Sequence, residues 1–208
     1  MLHLTNGKEN VMLFFTVAIA EGQKHAASRC VSLDELIVKV GEGDTDAFAK
    51  LYHMTDSSVF AFALSILKNE HDAQDVMQET YIRIRESAAR FSGEGHAMTW
   101  IMTITKNLAL MHLRSAGKSV SSDAEIMEET LSDTSGNIQQ NSENRLLLDA
   151  ALNILTDTQR QIVMLHAVSG LKHREIADLL DMPLATVLSH YSRSLSKLKS
   201  FLKRGDSE

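Results

Sequence analysis

The chain of 208 residues holds a single cysteine and a single proline, and aromatic side chains make up only 5% of it. A lone Cys30 excludes an intrachain disulfide, a CxxC metal knuckle and a cysteine pair that could sense redox change. The nine histidines are scattered, with no two spaced by three or four residues, which argues against a zinc site borne on a helix. No glycine-rich phosphate loop, GxSxG elbow or HExxH motif is present. The reading is therefore a protein without catalysis, metal, cofactor or small-molecule substrate. Long apolar runs are also lacking. The stretch Val11 to Ala20 is too short to span a bilayer. Its Ala18-Ile19-Ala20 end superficially matches a signal cleavage site, but its flank offers only Lys8 beside Glu9. Residues 1–30 are expected to be a weakly ordered extension, or a helix laid on the body, without membrane insertion.

What is abundant points to helices. Hydrophobic residues reach 44%, ample for packed cores, and a Leu-, Ala- and Met-rich chain with one proline favours an all-α fold. The net charge of −6 is unevenly spread. From Pro183 to Arg204 there are five Lys or Arg and no acidic residue, whereas Ser119 to Asp149 carries seven acidic residues against one Arg. Local sign governs an encounter with nucleic acid more than the sum does.

Periodicity divides the chain. Ser32 with Glu35 forms a capping box opening a helix of Leu33, Leu36, Ile37 and Val40, which Gly41 and Gly43 end. A longer helix starts at Asp44 and carries Phe48, Leu51, Tyr52, Val59, Phe62, Ala63, Ile66 and Leu67. The third, from His71 to Phe91, is expected to turn Val76, Met77, Tyr81, Ile82 and Ile84 inward and Asp72, Asp75, Gln78, Glu79 and Arg83 outward. After the loop Ser92 to Gly95, a fourth runs from His96 to about Ala116, with Trp100, Ile101, Ile104, Leu108 and Leu113 on its apolar side and Lys106, Asn107, His112 and Arg114 opposite. Ser, Asn, Asp and Glu then dominate a stretch without period, read as a flexible acidic linker over 118–142. A lead-in helix from Glu143 to Leu155 and a helix capped by Thr156 follow, the latter stopping at Gly170.

The proline lies in the most telling segment. Glu175, Ile176, Ala177, Leu179 and Leu180 make a short amphipathic helix whose small Ala177 permits a close crossing. Asp181 tolerates a left-handed turn, and Pro183 suits the first position of the next helix. There Val187, Tyr191, Leu195, Leu198 and Leu202 form one apolar stripe, with Thr186, Ser189, His190, Arg193 and Lys197 opposite. That pattern fits a helix-turn-helix whose second helix enters a DNA groove. An ordinary helical hairpin would show the same pattern, so this segment does not decide alone.

Three ordered motifs do. Asp72-Ala73-Gln74-Asp75-Val76-Met77-Gln78-Glu79-Thr80-Tyr81 resembles the core-polymerase-binding signature of bacterial sigma factors. Trp100 to Ala109 resembles the stretch of those proteins that faces the promoter −10 element, and Leu155 to Val187 resembles their region 4, which reads the −35 element. With a linker where region 3 is missing, the chain resembles the extracytoplasmic-function (ECF) subgroup of the sigma-70 family. The resemblance implies a cytoplasmic transcription initiation factor of two small helical domains. Residues 31–117 would be region 2, residues 143–208 region 4, and core RNA polymerase, promoter DNA and an anti-sigma factor the partners.

It also implies roles. Asp72, Asp75, Gln78, Glu79 and Arg83 would dock on core polymerase; Lys106, Asn107, Arg114 and Trp100 would meet the −10 strand, with Trp100 read rather as core than as a stacking platform. Arg174, Thr186, Leu188, Ser189, His190, Arg193 and Lys197 would meet the −35 element. The family pattern Gly-Thr-Val-Lys-Ser-Arg is here Ala185-Thr186-Val187-Leu188-Ser189-His190, so two cations are replaced. Leu188 could instead touch thymine methyls. The competing reading is a helix-turn-helix regulator with an N-terminal ligand-binding or dimerisation domain, and a third is a decoy that binds an anti-sigma factor without supporting initiation.

Overall fold

The computed structural model describes residues 32–92, 96–117 and 150–204, with side chains as far as Phe201. Every regular element among them is helical. The readings for residues 1–30, for the linker 118–142 and for most of the lead-in helix lie outside the described residues.

Local chemistry sets the helix boundaries. Helix α1 (Leu33–Gly41) opens on the capping box: Ser32 Oγ accepts from the Glu35 amide at 3.1 Å, and Glu35 Oε2 accepts from the Ser32 amide at 3.3 Å. Helix α2 (Thr45–Leu67) is capped by Asp44, which accepts from the amides of Asp46 and Ala47, each at 2.9 Å. The Ala47 amide foremost holds the Asp44 carboxyl below the usual range. Helix α3 (Glu70–Ser87) starts from an Asn69 cap and runs into a 3₁₀ turn at Ala88–Arg90. A Cβ on Gly41 would lie 2.9 Å from the Ala89 backbone, so the absent side chain lets α1 meet that turn. Helix α4 is Ala97–Ser115.

Residues 150–153 are helical and lead to α5 (Asp157–Ala167), where Thr156 and Gln159 form a second capping box. Helix α6 (His173–Leu180) ends on Asp181 at φ 55°, a left-handed residue, and α7 (Leu184–Arg204) follows Pro183. The helix-turn-helix expected from the sequence is in place.

Helices α1–α4 enclose Leu36, Ile37, Leu51, Val59, Phe62, Ile84, Ile101 and Met102, all fully or almost fully buried. Each such side chain contributes about 1.5–3 kcal/mol relative to exposure. A buried hydroxyl pair sits inside this half: Thr55 donates to the Leu51 carbonyl at 2.7 Å, leaving its oxygen to accept from Tyr81 Oη at 2.8 Å. Burial pushes the Tyr81 phenol above the ordinary tyrosine range.

The two halves share their core. The cluster of α1–α4 continues through Ile162, Leu165, Leu171, Ile176 and Val187 of the C-terminal half. Polar contacts cross the same seam. Ser58 Oγ donates to the Val168 carbonyl at 3.0 Å, Lys106 Nζ to the Leu179 carbonyl at 2.6 Å, and Lys68 pairs with Asp157 at 2.8 Å.

Two helix phases differ from the sequence reading. Ile82 was expected inside α3 but is 52% exposed. Leu195 was placed on the inner stripe of α7 but is 43% exposed, while Ser194 is fully buried. Ser194 Oγ donates to the His190 carbonyl at 2.7 Å, so the hydroxyl is satisfied within its own helix and a small polar residue can occupy the seam.

Candidate core-polymerase and promoter interfaces

The first candidate surface is the outer face of α3. At about 100° of turn per residue, Asp72, Asp75, Gln78, Glu79 and Arg83 fall within little more than a third of the helix circumference. The buried Ala73, Val76, Thr80 and Ile84 define the opposite side. All five predicted docking residues therefore share one face. Its charges are partly paired: Arg83 Nε meets Glu79 Oε1 at 2.9 Å, Arg83 Nη1 meets Glu86 Oε2 at 3.1 Å, and His71 Nδ1 lies 3.2 Å from Asp75 Oδ2. These exposed pairs add little stability, and their side chains remain free to re-pair with a partner. Ile82 sits in the middle of this face. Sequence reading missed it, and an apolar residue ringed by charge suits an anchor in a docking surface.

The second surface is α4. Trp100, Asn107 and Arg114 recur at seven-residue steps and lie along one side, with exposed Thr103 and Met111 between them. Asn107 and Arg114 are exposed; Trp100 is half-buried against Phe91, ring centroids 5.1 Å apart. The indole is thus neither wholly core nor free. Lys106, expected beside Asn107, is turned about 100° away and is bonded to the C-terminal half. Part of the loop that precedes α4, residues 93–95, lies outside the described residues.

The third surface is α7, held by a ring cluster. His166 and His173 pack with centroids 4.3 Å apart, and Tyr191 stands edge-on to both at 4.8 and 4.7 Å. His166 Nδ1 is 2.8 Å from the Leu171 carbonyl. Burial, and then the nearby His166, hold the His173 imidazole below the usual histidine range. Burial pushes the Tyr191 phenol up.

This packing rotates α7 relative to the sequence reading. Val187, Ser194 and Leu198 point inward, so the solvent-facing arc comprises Ala185, Leu188, Ser189, Ser192, Arg193, Ser196, Lys199 and Ser200. Of the predicted −35 residues, Leu188, Ser189 and Arg193 lie on that arc, and Arg174 is exposed on α6. Thr186, His190 and Lys197 do not lie there. Thr186 and His190 are half-buried, with His190 Nδ1 enclosed and without a hydrogen-bond partner, and Lys197 is tied to α5 through Nζ, which donates to Gln159 Oε1 at 3.0 Å. Ala185, Ser192 and Ser196 were missed because small residues carry no signal of their own. The buried position of Ser194 fixes the helix phase that exposes them.

Among the described residues, no group of three His, Cys, Asp or Glu is placed to hold a metal ion. None of their helices is long and apolar enough to cross a membrane.

Comparison with known proteins matches these surfaces to regions. Residues 51–119 match the family model Sigma-70 region 2, and residues 145–198 match Sigma-70, region 4. The ECF RNA polymerase sigma factor SigK of Mycobacterium tuberculosis (strain ATCC 25618 / H37Rv) is 29% identical over 175 residues, covering 82% of this chain and 93% of that protein. SigK of Mycolicibacterium vanbaalenii is 25% identical over 174 residues, covering 82% and 89%. In fold, the chain is similar to CnrH, solved in complex with the cytosolic domain of CnrY, at a TM-score of 0.59 and 19% identity over 82% of this chain and 97% of that one. It is also similar to RpoE of Bartonella quintana, solved with the anti-sigma factor NepR, at 0.56 and 22% over 76% and 98%. With region 2 and region 4 matched in order over more than half of its length, and ECF sigma factors among its relatives, the chain belongs to the ECF subgroup of the sigma-70 family, the factors that direct core RNA polymerase to promoters.

Proposed function

We propose that residues 31–117 form the polymerase-binding and −10 domain and residues 143–208 the −35 domain, and that the three exposed helix faces divide the work of initiation among them. The α3 face, with Asp75, Gln78 and Glu79 around Ile82, docks on a basic surface of core polymerase. The Trp100, Asn107 and Arg114 side of α4 holds the strand exposed by melting, with a cation for phosphate and polar or aromatic groups for unstacked bases. The α7 arc enters the major groove, where Leu188 offers apolar contact to thymine methyls and Arg193 a phosphate or guanine contact. The protein acts in the cytoplasm and performs no catalysis of its own. An anti-sigma factor holds it inactive, as the complexes of CnrH with CnrY and of RpoE with NepR suggest.

The observation that carries this reading is the gathering of all five predicted docking residues on one side of α3. The test is binding to immobilised core polymerase. Reversing Asp75 and Glu79 to Lys together is expected to abolish binding while circular dichroism stays unchanged. Retained affinity would remove α3 from the interface.

A further inference from the structure

Three rings from three helices seat the recognition helix. His166 of α5, His173 of α6 and Tyr191 of α7 meet with centroids 4.3 to 4.8 Å apart. Tyr191 stands between Leu188 and Arg193 in the chain, so this seat sets where their arc points.

The geometry requires neutral imidazoles. His166 Nδ1 is 2.8 Å from the Leu171 carbonyl, which can only accept, so in the neutral ring this nitrogen carries the hydrogen and Nε2 is bare. His173 Nε2 is enclosed without a hydrogen-bond partner. A neutral ring can leave that nitrogen bare, whereas an imidazolium must place an N–H on it with no acceptor. The new charge would also face the His166 ring at a centroid distance of 4.3 Å.

The surroundings offer no counter-charge. Among the described residues, the histidines within ion-pair distance of a carboxylate are His71, His96 and His112, and not this pair. On α6, Glu175 turns one oxygen to the Lys172 amide and the other toward His96 of α4, and Asp178 is rotated about 140° from His173. On α5, Asp157 pairs with Lys68 of α2, and Arg160 bonds the Leu152 carbonyl. On α7, Lys197 bonds Gln159, and His190 has its Nδ1 enclosed. The exposed Lys172, Arg174 and Arg193 add like charge. Burial and His166 accordingly hold the His173 imidazole below the usual range.

We propose that this ring cluster is a proton-released seat for the recognition helix: neutral imidazoles hold α7 in its DNA-reading phase, and proton uptake by the pair frees it, so that duplex binding weakens in acid. The proposal rests on the reading of α7 as the helix that meets DNA. As pH falls below the ordinary histidine value, the freed state binds the proton that the seated state refuses, which favours release. With an ordinary value near 6.5 in the freed state, His173 alone multiplies the release constant by up to about tenfold between pH 7.5 and 5.5.

The test uses the full chain. Hydrogen exchange of the α7 amides, corrected for its intrinsic pH dependence, is expected to show a release constant severalfold larger at pH 5.5 than at pH 7.5. Affinity for a fluorescein-labelled duplex at constant ionic strength is expected to fall about threefold or more over the same interval. Protonation of the exposed His53, His71 and His96 would by itself tighten binding, so the direction is diagnostic. His166→Asn with His173→Phe keeps a donor for the Leu171 carbonyl and a ring beside Tyr191 while removing both titrating groups. That variant is expected to bind at least as tightly in acid as at pH 7.5. Wild-type binding unchanged or tighter in acid, an equal fall in the double variant, or α7 exchange with the same release constant at both pH values would overturn the seat. Arg193→Ala without loss of affinity at pH 7.5 would instead remove α7 from the DNA interface, and the exchange measurement, which needs neither DNA nor a variant, would still decide the seat.

Discussion

Replacing Leu188 by Lys separates two placements of the recognition helix. Leu188 is 46% exposed on the arc shared with Ser189, Ser192 and Arg193, whereas His190 lies off that arc, half-buried, with its Nδ1 enclosed. A cation added at 188 can therefore reach a phosphate, and one added at 190 cannot. One further phosphate contact steepens the dependence of log affinity on log salt by about 0.9. Between 50 and 200 mM salt, Leu188→Lys should then lose roughly 3.5-fold more affinity for non-specific duplex than the wild type loses. His190→Arg should leave the slope unchanged and lower stability by about 1 kcal/mol or more, because the longer, charged side chain would start where the His190 ring is enclosed. Fluorescence anisotropy of a labelled duplex across a salt series measures the slopes, and urea unfolding the stabilities. A steeper slope for His190→Arg with none for Leu188→Lys would show that the helix meets DNA by its other side.

Other consequences follow from single contacts. Tyr81→Phe removes the buried bond to Thr55 and should cost about 1 kcal/mol in urea unfolding, and no change would mean that the pair is not formed. Because the His173 imidazole is held below its ordinary range by burial and by His166, the folded state takes up fewer protons than the unfolded one. Stability should therefore fall as pH drops through the ordinary histidine value toward the lowered one. Substituting His173 by Gln should flatten that dependence, and an unchanged slope between pH 7.5 and 5.5 would assign it to another group. Asn107→Ala with Arg114→Ala should spare closed-complex formation yet reduce permanganate-reactive thymines near −10. Equal loss at both stages would point to duplex binding or folding instead.

The boundaries of the helices were legible because they are set by neighbours in sequence. Ser32 with Glu35, Thr156 with Gln159, and Asp181 before Pro183 each satisfy or terminate a helix end within a few residues. The candidate docking face of α3 was legible for the same reason, since five charged or polar residues at helical spacing leave only one way out. Phase was harder where the seam holds a polar residue. Ser194 looks like a surface residue and Leu195 like a core one until the i−4 hydroxyl bond is seen, and that one exchange rotates the whole α7 arc. What sequence did not carry is the docking of the two halves. Ser58 meets Val168 across a separation of 110 residues and Lys106 meets Leu179 across 73, and no local pattern marks a lysine that will cap a distant helix.

The most direct test of the central claim, that this chain programmes core polymerase for specific initiation, is transcription from genomic DNA with purified core enzyme and mapping of RNA 5′ ends. Discrete start sites should appear with the wild-type chain, be absent with core alone, and vanish with Asp75→Lys and Glu79→Lys combined. Absence of discrete starts with the wild type, or starts undiminished by the double reversal, would contradict the account.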